Sequence, residues 1–221
     1  MTAPAEVLPI FATPFGVVTL AGAAAMNPEL EALFRARALP AWGATDLATP
    51  AHAFHSREDL ADWPEAPVVR LVEDMLSGVT AVATAVSELT PEQLAGLRRE
   101  ARCRFSVIGG DGYVAPHSHA NTAWTAVYCV ASPPASPTRQ DSGVLRLHEF
   151  RPGGMFMDAA QASRMPYRPG HCVWRPVPGQ MAVFPASITH EIALLRADSP
   201  LILVTARVRY VGLDQPWMPP W

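Results

Sequence analysis

The sequence predicts an α+β fold in which antiparallel strands form a jelly-roll arrangement and N-terminal helices cover one outer face. Three observations lead to this prediction. The 221 residues are 49% hydrophobic, which is enough for a substantial core. Apolar residues recur at helical spacing in the first hundred positions, whereas short apolar runs between Gly, Pro, Asp and Ser clusters fill the rest. We expect a single domain over 1–221, with 1–101 as a mainly helical flank and 102–221 as the β core.

Three helices are predicted within the flank, after an opening strand in FATPFGVVTL. The first, NPELEALFRARAL, has Asn27 as its N-cap and Pro28 at its first helical position. The second covers about positions 67–89, where apolar residues at helical spacing indicate packing against a sheet. The third begins in TPEQLAGL with a capping box formed by Thr90 and Gln93.

Seven short runs in the C-terminal half predict strands. In chain order they are CRFSVI, AWTAVYCV, GVLRLHEF, CVWRPV, QMAVFPA, HEIALL and LILVTARVRY. Their spacing is typical of an antiparallel double sheet and not of βαβ units. In the last run, strict alternation puts an apolar set on one face and Thr205, Arg207 and Arg209 on the other.

Composition narrows the classes of partner and compartment. A formal net charge of -3 with no basic block argues against nucleic acid or an anionic membrane as a partner, so a small-molecule ligand remains. The longest apolar stretch, VVTLAGAAAM, is well short of the roughly 20 residues that span a bilayer. Three separated cysteines without a CxxC pattern indicate neither a disulfide framework nor a thiolate zinc site. We therefore expect a soluble protein in the reducing cytoplasm.

Two histidines stand one residue apart in APHSHANTAWTAVYCV, positions 115–130. On a strand, His117, His119 and Asn121 would project to the same side, a geometry that suits a metal; in a turn they would be ordinary polar residues. A third candidate, His190 in GQMAVFPASITHEIALL, follows a short turn at the head of a strand. Three neutral imidazoles suit Fe(II), Zn(II), Cu or Ni with positions left open for a substrate, whereas a structural zinc usually takes a fourth protein ligand.

Four segments in the same order resemble a known family. PHSHANTAWTAVYCV, SGVLRLHEFRP and PGQMAVFPASITHEI, together with the opening LPIFATPFGVVTL, resemble motifs of a family of 2-oxoglutarate- and Fe(II)-dependent oxygenases, which are small double-stranded β-helix proteins. The resemblance implies an Fe(II) ion held by His117, His119 and His190, with 2-oxoglutarate as co-substrate. It implies decarboxylation of 2-oxoglutarate coupled to hydroxylation of an unidentified substrate, with no catalytic residue beyond the metal ligands.

Two positions depart from that pattern. The middle metal ligand of the wider superfamily is usually a carboxylate, and this chain has His119 there. Similar proteins carry an arginine at the start of the last core strand for the distal carboxylate of 2-oxoglutarate, and this chain has Leu201 there. Arg207, with Thr205 as its hydroxyl neighbour, is our candidate for this cofactor-binding role because arginine binds carboxylates in a bidentate way. The alternative is that both lie on a solvent-facing strand edge.

Two further residues are candidates for substrate binding. Asn121 could orient a substrate, or it could cap a turn after the paired histidines. Arg146 could line the mouth of the cavity, or it could lie on a half-exposed strand. The remaining histidines considered, His52, His55 and His171, are predicted to be surface residues in loops.

A cupin-like barrel is the alternative fold family. PHSHA and GQMAVFPASITH also resemble the two cupin motifs, but that family's first motif has a glutamate where this chain has Thr122, Ala123 and Trp124. The alternative would make the protein a metal-dependent dioxygenase or isomerase, or a non-catalytic small-molecule binder on the same barrel. In either case, the two tryptophans in the closing LDQPWMPPW make a homo-oligomer contact possible.

Overall fold

The computed structural model describes residues 8–9, 11–44, 52–149, 165–167 and 170–212. Within these ranges, β1 and α1 are followed by β2, the long helix α2 and the short helix α3. Eight strands, β3 to β10, complete the order. The bounds are β1 Gly16–Thr19, α1 Ala23–Arg37, β2 Ala53–His55, α2 Ala66–Val86, α3 Pro91–Ala95, β3 Arg98–Ile108, β4 Val114–His117, β5 Trp124–Ala131, β6 Leu145–His148, β7 His171–Trp174, β8 Gln180–Pro185, β9 His190–Ile192 and β10 Leu201–Val211.

The strands form two antiparallel sheets. The major sheet has six strands in the order β1-β8-β5-β10-β3-β2, and the minor sheet has four in the order β4-β9-β6-β7. Each pairing between named strands is antiparallel, and most paired strands, such as β5 and β10, are not consecutive in the chain. This two-sheet arrangement confirms the predicted α+β fold with a jelly-roll, double-stranded β-helix core.

The helices pack on the outer face of the major sheet. Leu30 and Phe34 of α1 and Met75 of α2 are fully buried in one cluster with Phe105 of β3 and Val204 of β10. Burial of large apolar side chains is the main favourable term in folding, so this cluster fixes the helices to the sheet. The prediction that the N-terminal helices cover one face is confirmed.

A second apolar cluster fills the space between the two sheets. Val127 and Leu203 of the major sheet contact Leu145 and Ile192 of the minor sheet in this cluster. Successive strand residues point to opposite faces, so β10 places Val204 under the helices and Leu203 and Thr205 between the sheets. The polar residues of the inner face therefore lie in the space where the predicted ligands converge.

The start of α1 differs from the prediction. The helix begins at Ala23, after Gly22 with φ 75°, and Pro28 lies inside it instead of at its first position. Asn27 is therefore not the N-cap; its side-chain oxygen accepts a hydrogen bond of 2.6 Å from the hydroxyl of Tyr128. The alanine-rich run before Asn27 favours helix and extends the element toward the N-terminus.

The other two predicted helices, α2 and α3, are both present. The helix α2 matches its predicted range closely, and α3 has the predicted capping box, in which Thr90 and Gln93 bond reciprocally. The flank also supplies two strands, since β1 pairs with β8 and β2 pairs with β3. Because flank and core share one sheet, we propose that 1–221 folds as a single domain.

Across the described ranges, no helix has the length and apolar character needed to cross a membrane. The segment LDQPWMPPW, on which the prediction of an oligomer contact rests, lies outside the described residues. The homo-oligomer therefore stays a prediction.

Candidate metal centre

Two neighbouring strands and one loop position the three predicted ligands. His117 is the last residue of β4 and His190 the first of β9, and the two are direct cross-strand partners. His119 lies in the loop after β4, where its backbone N–H donates to the carbonyl of Ala186 at 2.9 Å. His117 is thus a strand residue and His119 a loop residue held against the end of β8.

The three imidazole rings converge. Their candidate ligand nitrogens all lie within 4.8 Å of one another. The ring centroids are 4.4 Å apart for His117 and His190, 4.9 Å for His117 and His119, and 5.2 Å for His119 and His190. Imidazole nitrogens bind divalent transition metals at about 2.0–2.1 Å, so one ion between the rings can contact all three after small side-chain movements.

Hydrogen bonds orient two of the rings. Nδ1 of His117 lies 2.8 Å from the carbonyl oxygen of Ala115, and Nδ1 of His190 lies 3.0 Å from that of Ile188. A carbonyl oxygen only accepts, so both Nδ1 atoms donate and each Nε2 keeps its lone pair for a metal. Metal-binding histidines usually donate the hydrogen of their other ring nitrogen in this way.

The third ring carries a buried nitrogen that lacks a partner. Nε2 of His119 is shielded from solvent and has no hydrogen-bond partner among the described residues. A buried polar atom without a partner is costly unless something else satisfies it. The donor set therefore fits a transition-metal ion, which would satisfy this nitrogen.

The protonation state of the triad suits metal binding. Desolvation by burial lowers the pKa of His119 to about 2 and that of His190 to about 4, with smaller contributions from neighbouring positive charge and from the other triad rings. Burial also lowers the pKa of His117. A histidine must be neutral to bind a metal, so the three rings are ready to bind throughout the physiological pH range.

The triad opens onto a cleft between the two sheets. One wall carries His117 and His190, and the facing wall is the inner face of the major sheet. The lining of the cleft combines two of the predicted metal ligands, apolar side chains and a buried cation, in full His55, Arg104, Ser106, Val114, His117, Val127, Leu145, His190, Ile192, Leu203 and Thr205.

Arg104 and Ser106 were missed by the sequence reasoning. Both lie on β3 and point into the cleft, while the alternate residues Cys103 and Phe105 point to the helices. Arg104 is only 8% exposed and is the cross-strand partner of Thr205 on β10. The alternation in CRFSVI, with polar residues at every second position of a core strand, is the signal that could have found them.

The prediction that His55 is a surface loop residue is wrong. His55 ends β2, is 6% exposed, and pairs in register with Ser106 of β3. Its Nδ1 lies 2.7 Å from Oγ of Ser106. Burial, followed by the positive charge of Arg104, lowers the pKa of His55 to about 4. No local pattern marks this three-residue strand, since only its pairing with β3 buries the ring.

The predicted cofactor-binding pair is divided between two environments. Thr205 lines the cleft. Arg207, one pleat further along β10, forms an ion pair with Glu58 and does not line the cleft. Thr205 and Arg207 are not on a solvent-facing strand edge, which was the alternative. Both side chains lie on the inner face of the sheet and are partly buried. The cofactor-binding role of Arg207 stays a prediction.

The two predicted substrate-binding residues lie away from the cleft lining. Asn121 is exposed in the turn before β5 with φ 55°, a backbone conformation that asparagine tolerates well. Arg146 lies on the opposite face of β6 from Leu145, which lines the cleft, and is ion-paired with Glu191. The half-exposed strand, named as the alternative for Arg146, accounts for this position. Substrate binding by either residue stays a prediction.

Comparisons with known proteins identify the fold. No family model matches the chain, and no curated protein matches it by sequence. A prolyl-4-hydroxylase from Pseudomonas putida is similar in structure, with a TM-score of 0.60, 14% identity, and coverage of 90% of this chain and 94% of that one. A prolyl hydroxylase from Trichoplax adhaerens, solved with a hypoxia inducible factor peptide fragment, has a TM-score of 0.58, 10% identity, and coverage of 94% and 88%.

A third similar structure is SnoN, a non-heme α-ketoglutarate-dependent epimerase from nogalamycin biosynthesis. Its TM-score is 0.56 at 16% identity, covering 94% of this chain and 84% of that one. SnoN has also been solved with Fe³⁺, α-ketoglutarate and nogalamycin RO. At these identities the similarity shows the fold, and it confirms the fold that the sequence resemblance implied.

Proposed function

We propose that this protein is an Fe(II)-dependent oxygenase that couples the decarboxylation of 2-oxoglutarate to the hydroxylation of an unidentified small-molecule substrate. The observation that carries this proposal is the convergence of His117, His119 and His190 within 4.8 Å at the edge of a cleft. The shared fold supports it, because the similar SnoN structure contains Fe³⁺ and α-ketoglutarate. Activity on a small molecule is supported by the same complex, which holds nogalamycin RO.

The three histidines would hold the iron, and the rest of the cleft would hold the organic reactants. Bound iron would supply the redox chemistry with dioxygen that side chains cannot perform. In the overall balance, 2-oxoglutarate loses carbon dioxide and becomes succinate. One atom of dioxygen would enter the succinate, and the other would enter the new hydroxyl group. We assign no catalytic residue beyond the three ligands.

The chain itself contributes orientation and exclusion of water. The carbonyls of Ala115 and Ile188 fix the rings of His117 and His190 so that each Nε2 faces the site. Apolar side chains from both sheets, among them Val127 and Leu145, line the cleft beside the triad. A dry site of fixed geometry strengthens electrostatic contacts and reduces side reactions.

A cupin-like function is the second candidate, and the donor set is the observation that favours it. The triad contains three neutral imidazoles and no carboxylate, so the site adds no negative charge to the ion. Such a site would suit a dioxygenase or isomerase whose own substrate chelates the metal, or a non-catalytic binder. In these cases 2-oxoglutarate would not be required.

The deciding experiment is an anaerobic titration of the metal-free protein with Fe(II), with and without 2-oxoglutarate. We expect a weak visible charge-transfer band that requires both components and is absent from His117→Ala. A His171→Ala variant is the matched control, because His171 is exposed on β7 and outside the triad. Iron binding without the band would favour the cupin-like alternative, and no iron binding would exclude both metal-dependent functions.

The substrate class and compartment have their own tests. Succinate formation should be stimulated by some members of a small-molecule panel; stimulation by proline-containing peptides alone would contradict a small-molecule substrate and favour a peptide one. We also propose a reducing, cytoplasmic setting, which is supported by three free cysteines, two of them buried. Fractionation of the native host would test it, and recovery outside the cytoplasm would contradict it.

A further inference from the structure

We propose that Arg104 on β3 binds the distal carboxylate of the co-substrate, in place of an arginine at the start of β10. The inference rests on the proposed function, since it concerns a 2-oxo dicarboxylate that chelates the metal at the triad. It assigns a role to a residue that the sequence resemblance does not mark.

Arg104 lies in the same cleft as the metal ligands. It shares the lining with His117 and His190, and its side chain is 8% exposed. Arginine's planar fork of donors matches a carboxylate in a bidentate way, and burial strengthens such a contact.

Hydroxyl groups flank this arginine. Thr205 is its direct partner on β10, and Ser106 lies two residues further along β3 on the same face. Nδ1 of the buried His55 is 2.7 Å from Oγ of Ser106. If that nitrogen donates, the hydroxyl proton of Ser106 remains for an acceptor in the cleft. A guanidinium with two hydroxyls is a suitable donor set for one carboxylate.

The remaining lining matches the rest of a 2-oxo dicarboxylate. Val127, Leu145 and Leu203 offer apolar surface, which suits the methylene groups of such a chain. The three features of the molecule, a chelating end, a short apolar chain and a distal carboxylate, thus have counterparts in one cleft. The cation also offsets the second negative charge that this ligand brings into a partly buried space.

The start of β10 cannot supply this cation. Leu201 is 1% exposed in the apolar cluster between the sheets, and Leu203 is an apolar part of the lining. Arg207, further along the strand, lies outside the lining. The nearest arginine to Thr205 across the sheet is its register partner Arg104, so the cation is supplied one strand away from the position in similar proteins.

The test compares two ligands that differ only in the distal group. The first is 2-oxoglutarate, and the second is 2-oxovalerate, which has a methyl group where 2-oxoglutarate has its distal carboxylate. Anaerobic binding to the Fe(II)-loaded protein is followed by the charge-transfer band and by calorimetry. The variants are Arg104→Gln, Arg207→Gln and the matched control Arg102→Gln, whose exposed side chain lies two residues earlier on β3.

We expect Arg104→Gln to weaken 2-oxoglutarate binding by about 10- to 100-fold, the size of losing charge-assisted hydrogen bonds. Its affinity for 2-oxovalerate and its iron stoichiometry should stay at the wild-type values. Arg102→Gln should leave both ligands unaffected. If Arg104→Gln does not fold, Arg104→Lys, which keeps the charge and loses the fork, should weaken 2-oxoglutarate alone to a smaller degree.

Four outcomes would overturn the inference. Unchanged 2-oxoglutarate affinity in the Arg104 variants would show that Arg104 does not bind the distal carboxylate. Equal weakening of both ligands would mean that Arg104 acts through the metal site. If Arg207→Gln instead weakened 2-oxoglutarate binding and left 2-oxovalerate binding unchanged, the distal carboxylate would be bound by Arg207 on β10. A wild-type protein that gives no band with either ligand would refute the proposed function, and the inference with it.

Discussion

The buried histidine beside the cleft gives a quantitative prediction about stability and pH. Burial is the main cause that lowers the pKa of His55 from 6.5 to about 4, and the positive charge of Arg104 and the proximity of His117 add to it. In the unfolded chain the ring titrates near its ordinary value. Between about pH 6.5 and 4 the unfolded state therefore binds a proton that the folded state does not.

The sign and size of the effect follow from this difference. The stabilising contribution of a neutral His55 is complete above about pH 6.5 and is lost as the pH falls toward 4. At about 1.4 kcal/mol per pKa unit, the whole shift corresponds to about 3 kcal/mol, and the part lost between pH 7.5 and 5 to about 2 kcal/mol.

Urea unfolding of the metal-free protein at pH 7.5 and at pH 5 measures this contribution. The free energy of unfolding should fall more in the wild type than in His55→Gln, by about 2 kcal/mol. The triad histidines are present in both proteins, so their contributions largely cancel. Ser106→Ala is the control and should keep the wild-type pH dependence, because burial and not the hydroxyl is the first cause of the shift. Equal losses in wild type and His55→Gln would refute the reasoning.

Three further predictions concern the metal site and the core. Fe(II) at a hundred times its dissociation constant should stabilise the wild type by about 2.7 kcal/mol and raise its Tm by about 5–11 °C. The His119→Ala variant should show no such rise, and a full rise in this variant would show that His119 is not a ligand. Tyr128→Phe should cost about 1–3 kcal/mol in chemical denaturation, because it leaves the buried oxygen of Asn27 without its 2.6 Å bond; a cost near zero would contradict that role. His148→Gln should keep full iron stoichiometry by mass spectrometry, since this ring neighbours Glu191 outside the triad, and iron loss would show that His148 is also a ligand.

Local patterns predicted most of the secondary structure correctly. The periodicity of α2, the capping box of α3 and the alternation of β10 depend on residues close together in the chain, and each is present in the structure. The start of α1 could not be read in this way. Asn27 has the chemistry of an N-cap, yet its side chain bonds to Tyr128, 101 positions away.

The sequence by itself determined the residue types that can hold a metal and the strands that lie next to them, because spacing and alternation are local properties. Tertiary structure decided which of those residues meet. Pairing of β4 with β9 brings His117 beside His190, and pairing of β2 with β3 buries His55 against Ser106. The register of β3 against β10 sets Arg104 opposite Thr205 in the cleft. Contacts between distant segments depend on strand order and register, which the burial of two apolar faces fixes only when the whole chain has folded.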